Sequence, residues 1–181
     1  MAKLLHPFDL ELTAWPRARF CGSVEIAGHR FSIDQVSGTR VHYWGRRLPD
    51  SWLWVSGGLG DEDGAVEAAL FQSRIWGALS PVVNAGFVAA TDGRRKAQII
   101  TPVHGAITAR GVETAFEINA RGGGHALHLA AHTSQSSYND LGEGVHQTLL
   151  GDLFVDDWGS CSGHAGLEMR GGDLVRSIWT R

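Results

Sequence analysis

The chain has 181 residues, a formal charge of −3 at pH 7, 43 % hydrophobic and 19 % charged residues. That length suits a single domain (residues 1–181) with a sizeable core, and the composition excludes a disordered chain. The mild acidity argues against nucleic-acid binding, which needs a basic face. The 24 glycines lie singly and in pairs between apolar runs, as many turns and short strands require.

The first fifteen residues carry one lysine, a short apolar pair, Pro7 and Asp9. They lack the apolar core of a secretory signal, and no stretch approaches the ~20 apolar residues of a spanning helix. A cytoplasmic protein without a membrane span is therefore expected. Cys21 and Cys161 stand far apart in sequence, and a reduced pair suits that location.

Strand-like runs then follow every ten residues or so, the rhythm of an antiparallel sandwich or barrel. Residues 23–26 lead through Ala27-Gly28 into residues 30–33, a hairpin. Residues 39–44 and 52–56 are the next two strands, bridged by the polar residues 46–50. Residues 63–76 are alanine-rich, and the spacing of Val66, Leu70 and Ser73 also suits a short helix, but the segment is read as strand. Residues 82–91 and 97–100 flank the turn signal Asp92-Gly93, and Arg94-Arg95-Lys96 is read as its solvated tip. Residues 113–120 and 125–132 flank Gly122-Gly123-Gly124. Four further strands are expected at 145–150, 153–155, 165–169 and 174–179.

The most distinctive chemistry lies early. His42 and Trp44 alternate on one strand face, and Trp52 and Trp54 do so on the next. An imidazole beside indole faces can hold an apolar or polyene ligand and stabilise developing positive charge. The same rings also suit a packed core with a hydrogen-bonded histidine.

The His42-x-Trp44-Gly45 motif, then Pro49 and Trp52-x-Trp54, resembles the tocopherol cyclase-like family, which includes carotenoid 1,2-hydratases and AttH-like proteins. Ala165-x-Leu167-Glu168-x-x-Gly171-Gly172 is similar to a late strand of that family. The resemblance runs over roughly residues 18–175. It implies an all-β, lipocalin-like (calycin) antiparallel barrel, with His42 and Trp44 as the catalytic positions. Family members commonly carry two barrels in tandem, so this chain resembles the second half alone, and a homodimer would supply the other.

The activities that the resemblance implies protonate a double bond of an isoprenoid and capture the carbocation. The hydratase-like members place an aspartic acid after the W-x-W segment, whereas residues 68–76 here hold no carboxylate. That departure shifts the expectation from hydration towards cyclisation or isomerisation guided by shape and electrostatics. The expected ligand is a hydrophobic polyene, isoprenoid or polyketide-derived molecule, lined by Trp52, Trp54, Phe71, Gln72, Trp76, Phe154 and Trp158. A non-catalytic carrier using the same cavity is the alternative, and a fully packed structural barrel is a third reading.

Strand parity would allow Asp152 to turn inward with Leu150, Phe154, Asp156 and Trp158, and Glu168 with His164, but a surface or turn position is the favoured reading for each carboxylate, because charged groups rarely tolerate burial unpaired. Glu113 and Glu117 would face water. No cofactor or metal is expected: His128 and His132 share a strand face but sit about 13 Å apart, and no H-E-x-x-H or C-x-x-C spacing occurs. Gly122-Gly123-Gly124 lacks the G-K-S/T of a phosphate loop, and no G-x-S-x-G elbow supports a serine nucleophile.

Overall fold

The structure is a computed structural model that describes residues 2–5, 10–45, 48–60, 64–74, 82–91, 98–112, 114–134 and 137–171. Thirteen strands are described: β1 (Ala2–Leu5), β2 (Leu10–Ile26), β3 (His29–Gly45), β4 (Ser51–Leu59), β5 (Gly64–Arg74), β6 (Val82–Thr91), β7 (Gln98–Ile100), β8 (Gly105–Val112), β9 (Ala115–Gly122), β10 (His125–His132), β11 (Asn139–Gly142), β12 (Val145–Val155) and β13 (Gly159–Arg170). All the pairings are antiparallel.

Ten strands form one sheet in the order β7-β6-β5-β4-β13-β12-β10-β9-β8, with β11 attached to β12. Its ends approach each other where β7 meets β8 and β9, so the sheet is a nearly closed barrel. The architecture is all-β and lipocalin-like, as the resemblance implies, and the alternation and turn spacing of the sequence account for its antiparallel strands. Of the segment 63–76, open to a helical reading on propensity, the described residues Gly64–Arg74 form strand β5. Neighbours on both sides hold it: Trp54 pairs with Ala69 from β4, and Phe87 pairs with Ala69 from β6.

The remaining three strands form a sheet of order β1-β2-β3. β1 approaches β6, β2 approaches β5 and β3 approaches β4, so this second sheet follows the first in matching order. The hairpin around Ala27-Gly28 is much longer than the short strands expected from sequence. Residues 29–45 run as one strand, with register shifts between Trp15 and Ala18 and between Phe20 and Gly22 of its partner. Gln35, at φ 51, lies opposite the second shift. From there to the hairpin turn both strands are mostly exposed, Ile26 and Phe31 included.

Three hairpins turn on two residues of positive φ: Ala27-Gly28 (50, 79), Gly123-Gly124 (59, 80) and Glu143-Gly144 (53, 73). Such φ pairs match the twist of the flanking strands. The Asp92-Gly93 turn lies outside the described residues, but the flanking β6 and β7 pair antiparallel.

One face of the ten-stranded sheet makes the barrel interior. Leu53 and Val55 of β4, Val66, Ala68 and Leu70 of β5, Val88 of β6, Ile118, Leu129, Leu153 and Leu167 all pack there at 0–2 % exposure. The other face of β4, β5 and β6 is also buried: Trp52, Ala69, Phe71, Phe87 and Ala89 form a second cluster, with Trp54 and Val145 against it. A strand buried on both faces is unusual for an antiparallel barrel and explains why β5 shows no polar alternation.

Candidate functional site

The outer cluster is built from side chains two residues apart on neighbouring strands. Trp52 and Trp54 of β4 stand beside Phe71 and Ala69 of β5, and Arg170 and Glu168 of β13 flank them on the other side. Gln147 of β12 completes the row beside Glu168. The indole Nε1 of Trp52 donates to Glu168 Oε1 at 2.7 Å, and Gln147 Nε2 donates to Glu168 Oε2 at 2.8 Å. The guanidinium of Arg170 lies 5.4 Å from the centre of the Trp52 ring, within cation–π reach.

One row further along, Ser56 of β4 pairs with Glu67 of β5, and Glu67 pairs with Ala89 of β6. Glu67 is 0 % exposed. Its Oε1 accepts the Trp54 indole N–H at 3.2 Å, and among the described residues its Oε2 has no partner. Burial pushes the Glu67 carboxyl up from 4.5 to about 7, and the Trp54 hydrogen bond pulls the other way. Burial wins because ionising a carboxyl costs more when water is removed than one indole donor returns. The result is a carboxylic acid that keeps a proton near neutral pH, next to aromatic faces.

Trp54 is held in place by an absence. A Cβ at Gly166 of β13 would come within 2.8 Å of Trp54 Cζ3 and 2.9 Å of Cη2, so the indole lies directly over that glycine. Gly86 serves β5 and β6 in a related way. Its φ is 155°, and a methyl group there would press on Ala69 O and lie 2.9 Å from Leu70 Cα, so no side chain fits.

The residues anticipated from sequence divide. Trp52, Trp54 and Phe71 gather in this outer cluster. Gln72 faces the other way, half-buried, with its Nε2 donating to Asn84 Oδ1 at 3.1 Å and its Oε1 near the Ser51 hydroxyl at 3.5 Å. His42 is exposed on β3 opposite Thr13, and Trp44 lies in the same strand opposite Glu11, its side chain outside the described set. Trp76 also lies outside the described residues. Trp158 packs against the barrel core, donating its backbone N–H to Val155 O at 3.1 Å.

Phe154 corrects the parity argument, while Asp152 takes the surface position favoured for it. They face outward, because Leu153 and Val155 are the buried residues of that run. The cause is a register irregularity between Thr148 and Gly151. Thr148 is 1 % exposed, Leu149 and Leu150 are both 63 % exposed, and inward parity resumes on odd numbers after them. Glu168 and His164, which parity alone allowed inward, lie on the outer side, with Leu167 and Met169 buried between and beyond. Glu117 is half-buried and bound to Arg110, 2.6 Å away, while Glu113 lies outside the described residues.

Residues 68–76 hold no carboxylate, and the carboxyl nearest to them in the chain is Glu67. Glu67 immediately precedes Ala68, and a single buried carboxyl in an Ala-rich strand is the signal that marks it. Among the described residues, no three His, Cys, Asp or Glu side chains gather as a metal ion would need. Nor does any helix among them have the length and hydropathy to cross a membrane.

No family model matches the chain, and no curated protein matches it by sequence. Among solved structures, the fold is similar to that of kievitone hydratase from Nectria haematococca, with a TM-score of 0.51 at 13 % identity. The match covers 89 % of this chain and 52 % of that one, so the chain spans about half the length of that protein.

Proposed function

We propose that the protein binds a hydrophobic polyene, isoprenoid or polyketide-derived molecule against the Trp52, Trp54 and Phe71 face and promotes its cyclisation or isomerisation by proton transfer from Glu67. The observation that carries this reading is the buried Glu67 carboxyl, held by Trp54 through one oxygen and with the other without a partner among the described residues. In the step proposed, the Glu67 carboxyl gives its proton to one carbon of a substrate double bond. This leaves a carbocation and a Glu67 carboxylate. A second double bond or a hydroxyl of the same molecule then attacks the cation, or a neighbouring carbon loses a proton. Attack by a hydroxyl ends with loss of its O–H proton, and attack by a double bond leaves a new cation that loses a proton from an adjacent carbon; in each case that proton returns to the Glu67 carboxylate and the cycle closes. The indole faces of Trp52 and Trp54 favour the cation through their quadrupoles, and the raised pKa keeps the donor protonated at working pH.

Glu67 also returns hydration to the set of reactions, in keeping with the hydratase that shares the fold. There the carbocation takes a water oxygen, and the released proton restores Glu67. The alternative is a carrier that holds the same class of ligand without chemistry. His42 and Trp44, which the resemblance makes catalytic, belong to the proposal from strand β3. A second copy as partner is part of it too, because the chain corresponds to half of the longer protein.

The test combines product analysis by mass spectrometry with binding by tryptophan fluorescence, over a panel of polyenes and prenylated phenols. Glu67→Gln is expected to abolish turnover and retain binding, while His42→Ala lowers turnover more than binding. Ligand quenching without turnover in the wild type makes the protein a carrier. Absence of any quenching overturns both readings.

A further inference from the structure

Away from Glu67, the outer face of β8, β9, β10, β12 and β13 carries a shallow groove of about 670 Å³. Its size falls in the range of small-molecule sites. Ala130 of β10 pairs with Phe154 of β12, and His132 pairs with Asp152, so the groove has a small-residue floor beside an aromatic ring. Phe154 is 51 % exposed, although it is a large apolar side chain.

The charges around that ring are unequal. Arg110 is engaged by Glu117, at 2.8 Å from its Nε and 2.6 Å from its NH2. Asp152 is fixed in orientation, since its Oδ1 accepts the Ser162 hydroxyl at 2.7 Å and the Gly163 N–H at 2.8 Å. Those two donors hold its carboxyl below the usual carboxylate range. Its Oδ2 is left facing His132 at 3.8 Å, beyond hydrogen-bond distance. Asp156, two residues past Phe154, meets His128 at 3.1 Å. Strand β12 and the residue after it thus present carboxylate, aromatic ring and carboxylate at successive outward positions, each about 7 Å from the next.

We propose that this groove binds a small organic cation, an amine or quaternary ammonium carried on a flat apolar body. The ammonium would sit at Oδ2 of Asp152 and against the face of Phe154, two groups that both favour positive charge. The apolar body would lie on Ala130 and Ala115. Anions are disfavoured by Asp152, whereas Glu117 is neutralised by Arg110, and a neutral analogue loses the charge component of both favourable contacts. The site is independent of Glu67 and of the chemistry proposed there.

The test titrates phenethylammonium into the full chain at low salt, following amide shifts by NMR. The uncharged 2-phenylethanol is the control. Saturable binding is expected with a dissociation constant on the order of 1 mM, as a ligand of so few atoms allows. Asp152→Asn keeps the oxygen that accepts from Ser162 and Gly163, and is expected to weaken binding about fivefold. Phe154→Leu is expected to weaken it about threefold, and Glu67→Gln to leave it unchanged. Equal affinity for the alcohol, equal affinity in Asp152→Asn, or no saturation by about ten times the expected constant overturns the proposal.

Discussion

The indole of Trp54 reaches diagonally across from β4 to β5 to meet Glu67, donating at 3.2 Å to a carboxyl that has no exposure to solvent. Trp54 lies directly opposite Ala69 in the ladder, and Glu67 lies opposite Ser56. Diagonal contact of this kind is open to long aromatic side chains, and the small Ala69 leaves the path clear.

The first consequence concerns stability. The Glu67 carboxyl titrates near 7 in the folded chain and near 4.5 when unfolded. Between those values the folded state binds more protons, so stability falls as pH rises from about 4.5 through 7 and levels off above. The full loss corresponds to about 3 kcal/mol for this group. Glu67→Gln is expected to flatten that part of the curve, making the variant more stable than wild type at pH 8 and near equal at pH 4. Urea unfolding at both pH values checks it.

The rate should follow the same group. If Glu67 donates the proton, turnover at saturating ligand falls as pH rises through about 7, and the fall tracks deprotonation of one carboxyl. Trp54→Phe removes the hydrogen bond that lowers the Glu67 pKa. The falling limb should then move to higher pH, which a pH–rate profile of the variant reads directly.

Gly166→Ala places a methyl group within 3 Å of two Trp54 ring atoms. The indole must tilt, or β13 must shift against β4. A cost of about 1–3 kcal/mol is expected, as for other overpacked sites. A changed tryptophan emission spectrum should accompany it, and thermal unfolding gives the magnitude. An unchanged spectrum with wild-type stability rules out the stacked arrangement.

Trp52→Phe keeps most of the apolar bulk and removes the N–H that Glu168 accepts at 2.7 Å. Glu168 then retains Gln147 as its donor. A destabilisation of about 1–2 kcal/mol is expected from the lost charge-assisted bond. In a double-mutant cycle with Glu168→Gln, the coupling energy should exceed zero by a similar amount.

Much of the barrel is legible in the chain because most of its strands behave simply. The Gly123-Gly124 hairpin, with Ile118 and Leu129 inward and Asn119 and His128 outward, needs only alternation and a turn signal. Glu67 escapes such a reading because β5 is buried on both faces, so alternation carries no information about which side chain meets water. Parity misplaces Phe154 because two exposed leucines, Leu149 and Leu150, sit at a register irregularity, which inverts every position after it. The length of β3 is hidden by Gln35, whose positive φ continues a strand where the sequence reads as a break.

The two-sided burial of β5 separates two evolutionary pressures within eleven residues. Val66, Ala68 and Leu70 hold the barrel together, and Glu67, Ala69 and Phe71 look outward from the same backbone. A change at one set leaves the other in register. Ligand preference and chemistry can therefore drift by substitution at alternate positions while the scaffold stays fixed, so low sequence similarity and a shared fold are compatible outcomes for this architecture.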